Sequence, residues 1–198
     1  MRLTIFDYGA GNLHSLQKAV SGDGINVTIE ADPFRCVDTD VLLLPGVGSF
    51  TQAASCVAPA RAELRDAIAA GLPTIGICLG MQLLFTRSDE GPGEGIGVAE
   101  GVVTRLAASR TPQMGWNSFE DARDPLFARA RLTTAYYANS FVCRPADRTA
   151  VVAWSRHEDD VFPAMVRVGS AIGVQFHPEK SSAAGLRFLR AAIQDSRP

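Results

Sequence analysis

No apolar run in these 198 residues approaches membrane-spanning length. The opening Met1-Arg2-Leu3-Thr4-Ile5-Phe6-Asp7 meets an acid, then glycines, too early to form a secretory leader. The expected residence is cytoplasmic, with no membrane partner. Basic residues are not clustered, and 19 Lys+Arg against 21 Asp+Glu leave a formal charge of −2, which excludes the electrostatic footprint of a nucleic-acid binder. Cysteine is sparse: the four present have neither metal-ligand spacing nor the density of a disulfide framework. That argues against a metal site and fits a reducing compartment in which a thiol stays available for chemistry. Histidine is scarcer still, at 14, 157 and 177 only.

What is present is an ordinary globular composition, 46% hydrophobic and 20% charged, sufficient for one core and one domain over residues 1–198. Leu3 to Phe6, Ile25 to Ile29, Val41 to Leu44 and Thr74 to Ile77 read as strands. Helical stretches lie between them at Leu13 to Val20 and Ala60 to Ala70, the latter closed by Gly71. Continuous apolar strands alternating with helices predict an α/β, doubly wound, mostly parallel sheet with helices on both faces. In the second half, strands at Val102-Val103, Thr133 to Tyr137, Val151 to Trp154 and Ala164 to Val168 predict an antiparallel excursion. The sheet then resumes at Ala171 to Phe176, and a helix over Ala183 to Gln194 closes the chain.

The most informative residue is Cys78, in Pro73-Thr74-Ile75-Gly76-Ile77-Cys78-Leu79-Gly80-Met81-Gln82. A β-branched run precedes it and helix formers follow from Met81 to Thr86, so strand should turn to helix at the cysteine. Gly76 and Gly80 flank it as the glycines of a G-x-S-x-G elbow flank its serine. A thiol at a helix N-terminus is favoured as thiolate. Cys36, Cys56 and Cys143 have no such surroundings and read as small core hydrophobes. Downstream, the apolar strand ending at Phe176 delivers His177-Pro178-Glu179, and neither His14 nor His157 ends such a strand beside a carboxylate. The proline stiffens the segment, so an imidazole and the carboxylate that can orient it stand two residues apart on one face. A thiol nucleophile needs such a base, and the base works best when a third group fixes its tautomer.

The third strand ends in Pro45-Gly46-Val47-Gly48-Ser49-Phe50. In a parallel sheet this turn and the elbow share the C-terminal edge, where open α/β sheets place their sites. Backbone N–H groups of Val47 and Gly48, together with that of Leu79, are the candidate oxyanion donors for an acyl transfer. The turn is too short to be a phosphate loop.

Together with Asp7-Tyr8-Gly9-Ala10-Gly11-Asn12 and Met114-Gly115-Trp116-Asn117, and with Lys180-Ser181 extending the His-Pro-Glu run, these motifs make the chain resemble the glutaminase subunits of imidazole glycerol phosphate synthase. Those are class I, triad-type glutamine amidotransferases, and the resemblance covers nearly the whole chain. It implies a Cys78, His177 and Glu179 triad that releases ammonia from glutamine through a glutamyl thioester, with no cofactor and no metal. It further implies that Gln82, Glu90 and backbone near Ser140 hold the amino-acid end of glutamine, Asp89 or Glu94 being alternatives to Glu90. Tyr137-Ala138-Asn139-Ser140-Phe141 departs from the usual His-Ser-Tyr run at Asn139 and Phe141. The implied partner is a cyclase with a (β/α)8 barrel, in a heterodimer that makes imidazole glycerol phosphate and AICAR for histidine biosynthesis. Asn12, Tyr136 and Lys180 match positions near that interface.

Length supports a partner, since a glutaminase fold would leave no residues to consume the ammonia. Lys180 is one of only two lysines, and the strand-borne aromatic Trp116 reads as core. Two rivals stand beside this reading: a noncatalytic binding or redox-sensing protein that reuses the fold with a reactive cysteine, and a glutaminase serving anthranilate or pyridoxal phosphate synthesis.

Overall fold

The computed structural model describes residues 1–9 and 13–196. Its main sheet has seven strands. These are β1 (Arg2–Phe6), β2 (Asn26–Glu30), β3 (Val41–Leu44), β4 (Thr74–Ile77), β10 (Val151–His157), β11 (Asp160–Val168) and β12 (Ala171–Val174), in the order β10-β11-β12-β4-β3-β1-β2. The strands from β12 to β2 run parallel, whereas β10 and β11 are antiparallel at one edge. The fold class is therefore as expected: a mostly parallel sheet with an antiparallel excursion late in the chain.

Alternate side chains of the fully buried strands feed two cores. Leu3, Ile5, Val41, Leu43, Ile75, Ile77, Ile172 and Val174 face one layer, formed by α1 (Leu13–Val20), α5 (Pro125–Ala130) and α6 (Ser182–Asp195). Leu42 and Leu44 face the other, with α2 (Phe50–Val57), α3 (Arg61–Ala69) and α4 (Leu79–Leu83). Helix α1 shows how the pattern works, since its buried Leu13, Leu16 and Val20 recur at helical spacing. Two small sheets complete the molecule. One joins β5 (Phe85–Ser88), β6 (Ala99–Arg105) and β9 (Phe141–Pro145), and the other joins β7 (Gln113–Ser118) to β8 (Thr134–Asn139). Among the described residues no helix is long and apolar enough to cross a membrane.

Several local expectations need correction. The helix after Cys78 ends at Leu83, and Phe85 to Ser88 is a strand parallel to β6, so the helical reading to Thr86 was two elements run together. Helix α2 was missed, although Ser49 caps it by accepting from the Gln52 N–H at 3.3 Å. Helix α5 was also missed, despite its Asp124 cap and a proline in its first turn. Trp116 is not core: with Met114 it stands more than half exposed on β7. Among the described residues that strand pairs only with β8, in a two-stranded sheet that leaves these two side chains open.

Candidate active site

Cys78 follows β4, which lies between β3 and β12. The three strands are parallel, so their C-terminal ends bring Cys78, the turn from Pro45 to Ser49, and His177 to one edge. Cys78 takes φ 47° and ψ −100°, a conformation that non-glycine residues avoid, and its N–H donates to Val174 O at 2.7 Å. The glycines make the bend possible. A Cβ on Gly76 would lie 2.6 Å from the Gly80 carbonyl carbon, and one on Gly80 would run into the Leu44 carbonyl. Helix α4 thus rests on the sheet with backbone against backbone, and the cysteine side chain is turned out at the strand tip.

His177 is 1% exposed. Its Nδ1 is 2.8 Å from Glu179 Oε1, and it borders the same cleft as the Cys78 sulfur. Burial works against the charged imidazolium, but the sulfur and the Glu179 carboxylate override it and lift the histidine to about 9. The surrounding turn is bound tightly. His177 N–H donates to Tyr136 O at 2.8 Å, Ser181 Oγ donates to His177 O at 2.6 Å, and Tyr136 N–H donates to Ser181 Oγ at 2.9 Å. The buried Ser181 hydroxyl, in the run after His-Pro-Glu, thereby ties β8 to the histidine turn.

The opposite wall is the turn after β3. Gly46 packs so near the imidazole that a Cβ there would sit 3.0 Å from His177 Cε1. Together with Val47, Gly48, Cys78, Leu79, Gln82, Glu90, Ser140 and Lys180, these residues line a cleft of about 330 Å³. All three expected oxyanion donors and all three expected substrate-contact residues therefore border one cavity. Glu90 is held by the Phe50 N–H, which donates to its Oε2 at 3.2 Å, and Gln82 Nε2 donates to Phe141 O at 3.2 Å. The alternatives to Glu90 lie elsewhere, Asp89 beside Arg87 and Glu94 paired with Arg61. Asn139 is buried in the cleft wall with its Nδ2 donating to Phe141 O at 3.2 Å.

Of the expected interface residues, Lys180 is exposed at the cleft rim. Tyr136 is half-buried, with its ring edge-on to Trp116 at 6.5 Å. Asn12 lies outside the described residues. The other cysteines behave as small hydrophobes or weak donors. Burial pushes Cys36 up to about 12 and Cys143 well above the ordinary thiol range, and Cys56 Sγ lies 3.8 Å from Tyr8 O.

Residues 4–193 match the family model of class-I glutamine amidotransferases. Over 197 residues the chain is 42% identical to imidazole glycerol phosphate synthase subunit HisH of Symbiobacterium thermophilum, covering 95% of this chain and 91% of that one. The subunit of the same name from Pyrococcus furiosus is 38% identical over 192 residues, with 96% of each chain covered. The chain belongs to the HisH family of class-I glutamine amidotransferases. Among solved structures, one described as a glutamine amidotransferase superposes with a TM-score of 0.75 at 21% identity, covering 98% of each chain, and shares the fold. Membership in the HisH family decides against both rivals raised by the sequence, the noncatalytic sensor and the glutaminase of a different synthase.

Proposed function

We propose that Cys78 is the nucleophile of glutamine hydrolysis, with His177 as its acid and base and Glu179 orienting the imidazole. As a HisH-family enzyme the chain converts glutamine to glutamate and ammonia and passes the ammonia to the cyclase partner of imidazole glycerol phosphate synthase, in histidine biosynthesis. One juxtaposition supports the residue assignment: Cys78 and His177, at the ends of the adjacent parallel strands β4 and β12, border one cleft, and His177 Nδ1 lies 2.8 Å from Glu179 Oε1.

The same pairing supplies the proton logic. With the histidine lifted to about 9, it enters the cycle as the imidazolium, and the form of Cys78 that attacks is its thiolate. The thiolate attacks the glutamine side-chain carbonyl, charge moves to the carbonyl oxygen, and His177 gives its proton to the departing amine, which leaves as ammonia. Once the sulfur is acylated its negative charge is gone, and with it part of what raised the histidine. A neutral imidazole then takes a proton from water attacking the thioester, and glutamate leaves as the thiolate re-forms. Backbone N–H groups of Val47 or Gly48 and of Leu79 receive the oxyanion in both steps. Glu90 receives the substrate ammonium, and Gln82 and the Ser140 backbone fix its carboxylate end.

We read residues 1–198 as one glutaminase domain in the cytoplasm, in a heterodimer whose partner is a (β/α)8 barrel. Lys180 and Tyr136 are read as facing the partner, which the exposure of Lys180 at the cleft rim supports; Asn12, read with them from the sequence, lies outside the described residues. The test is glutamate release from glutamine by the assembled complex. Cys78→Ser is expected to reduce it by about a thousandfold or more, and turnover at the parent rate would remove the proposed nucleophile.

A further inference from the structure

Gln175 stands directly after β12 and is fully buried. Its backbone N–H donates to Ala164 O at 2.9 Å, which anchors the residue to β11. Its side-chain Nε2 donates to Cys78 Sγ at 3.5 Å. The side-chain oxygen, Oε1, has no partner and no contact with solvent. Gln175 thus turns its amide to the sulfur and His177 borders the same cleft as Cys78, while Phe176 packs in a ring cluster with Phe119, Tyr137 and Phe188.

A buried amide that leaves its carbonyl unpaired is a cost to folding that an apolar side chain of the same shape would avoid. Among the described residues, the only hydrogen bond its side chain makes in return is with the sulfur. Helix α4 has only five residues, so its dipole is a short one with which to hold charge at Cys78. A local cost without a local stabilising return is the mark of a residue kept for chemistry.

We propose that Gln175 is a positioning residue of the glutaminase reaction, whose amide N–H holds negative charge on Cys78 sulfur from the side opposite the cleft mouth. The inference rests on Cys78 being the nucleophile. In the resting enzyme the donor favours thiolate over thiol. When the thioester is hydrolysed it receives the sulfur again as a leaving group. His177 serves the sulfur from the cleft and must release its proton in each cycle, whereas the Gln175 amide gives up no proton and can hold the charge throughout.

The other titratable groups around the sulfur are few. His177 and Glu179 follow β12, Tyr8 follows β1, and Cys143 is on β9; Glu90 and Lys180 border the same cleft. Burial raises Tyr8 and Cys143 well above their ordinary ranges, so both remain neutral near pH 7.

The test compares full-length parent, Gln175→Met and Gln175→Glu. Alkylation of Cys78 by iodoacetamide is followed across pH on the Cys78 peptide by mass spectrometry, alongside thermal melting. In the Met variant, alkylation at neutral pH is expected to slow about tenfold and to recover as the pH is raised. Its melting temperature should equal or exceed the parent's, because the orphaned carbonyl is gone. The Glu variant should alkylate more slowly still, since it sets a carboxyl group against the sulfur. In the assembled complex, kcat of the Met variant should fall with KM for glutamine nearly unchanged.

Alkylation of either variant at the parent rate would overturn the inference. So would a Met variant that melts well below the parent, because the amide would then be a packing element. Failure of a diazoketone analogue of glutamine to label parent Cys78 in the complex would instead overturn the nucleophile assignment, and this inference with it.

Discussion

The two walls of the cleft on either side of Cys78 are built to different standards. On the β12 side, His177 and Glu179 sit in a turn closed by Tyr136 and Ser181, with His177 and Ser181 almost wholly buried. On the β3 side, Gly46 and Val47 are part-exposed and Gly48 is exposed. Among the described residues no hydrogen bond is made by the backbone of Val47 or Gly48. What holds that turn lies at its two ends. The Tyr8 hydroxyl donates to Pro45 O, and Ser49 and Glu90 cap the start of α2. Dense burial and closed hydrogen-bond loops raise the cost of local opening, whereas few contacts lower it. The acid–base wall is thus fixed by the fold, and the oxyanion wall is the adjustable one. A partner or a substrate that changes turnover by moving one side has the β3 turn as the cheaper target.

The comparison is broken most severely on its rigid side. Glu179→Gln keeps the shape but removes the charge that orients and supports the imidazolium, and kcat for glutamate release should fall about a hundredfold or more. The pH behaviour carries the sign. His177 in the folded protein is lifted to about 9 from its ordinary 6.5, so its contribution to stability is complete below 6.5 and is lost as pH rises through 9. In Glu179→Gln the upper edge of that window should move down, measured as the histidine NMR titration and as unfolding free energy against pH. An unchanged midpoint would show that the carboxylate does not support the imidazolium.

Gly46→Ala attacks the adjustable wall by geometry alone. The new Cβ would meet His177 Cε1, Ile77 Cγ2 and Ile77 O at 3.0 Å each, tight enough that the turn must give way before the buried ring does. Turnover is expected to fall about tenfold, the scale of a partly misplaced oxyanion donor, while the histidine titration stays at its parent value. A shift of that titration with turnover intact would mean that the histidine wall had yielded instead, reversing the assignment of rigid and adjustable sides.

How much of this was legible beforehand follows the physics of each feature. The apolar strands could be read because a central parallel strand is buried on both faces, as in Val41-Leu42-Leu43-Leu44. Cys78 and its glycines announced a bend through backbone sterics, which are local. Leu83-Leu84-Phe85-Thr86 was not decidable, because a short apolar run suits helix and strand alike, and only pairing with β6 makes Phe85 to Ser88 a strand. The exposed Trp116 defeated the usual rule for the same kind of reason: whether a strand face is covered is a property of the neighbours. Gln175 carried no signal either, being one polar residue inside an apolar run whose meaning appears only when β12 lies beside β4. The caps of α2 and α5, by contrast, are local signals that the sequence displays, in Ser49 and in Asp124-Pro125.

The smallest expected effect sharpens the comparison most. Tyr8 is fully buried, burial holds its hydroxyl proton well above the ordinary range, and its hydroxyl meets Pro45 O at the root of the turn. Tyr8→Phe removes that donor and leaves the ring, which packs edge-on against Phe6 at 5.6 Å. The unpaired Pro45 carbonyl should cost about 1 kcal/mol of stability, or roughly 2–4 °C in melting temperature for a chain of this size. Because the bond fastens the adjustable wall, kcat should fall severalfold, with the His177 titration and the alkylation rate of Cys78 unchanged. The contrast between the walls predicts this split: a loss in turnover without a loss in nucleophile reactivity. If both fall together, Tyr8 reaches the sulfur as well as the turn, and the two walls are one mechanical unit.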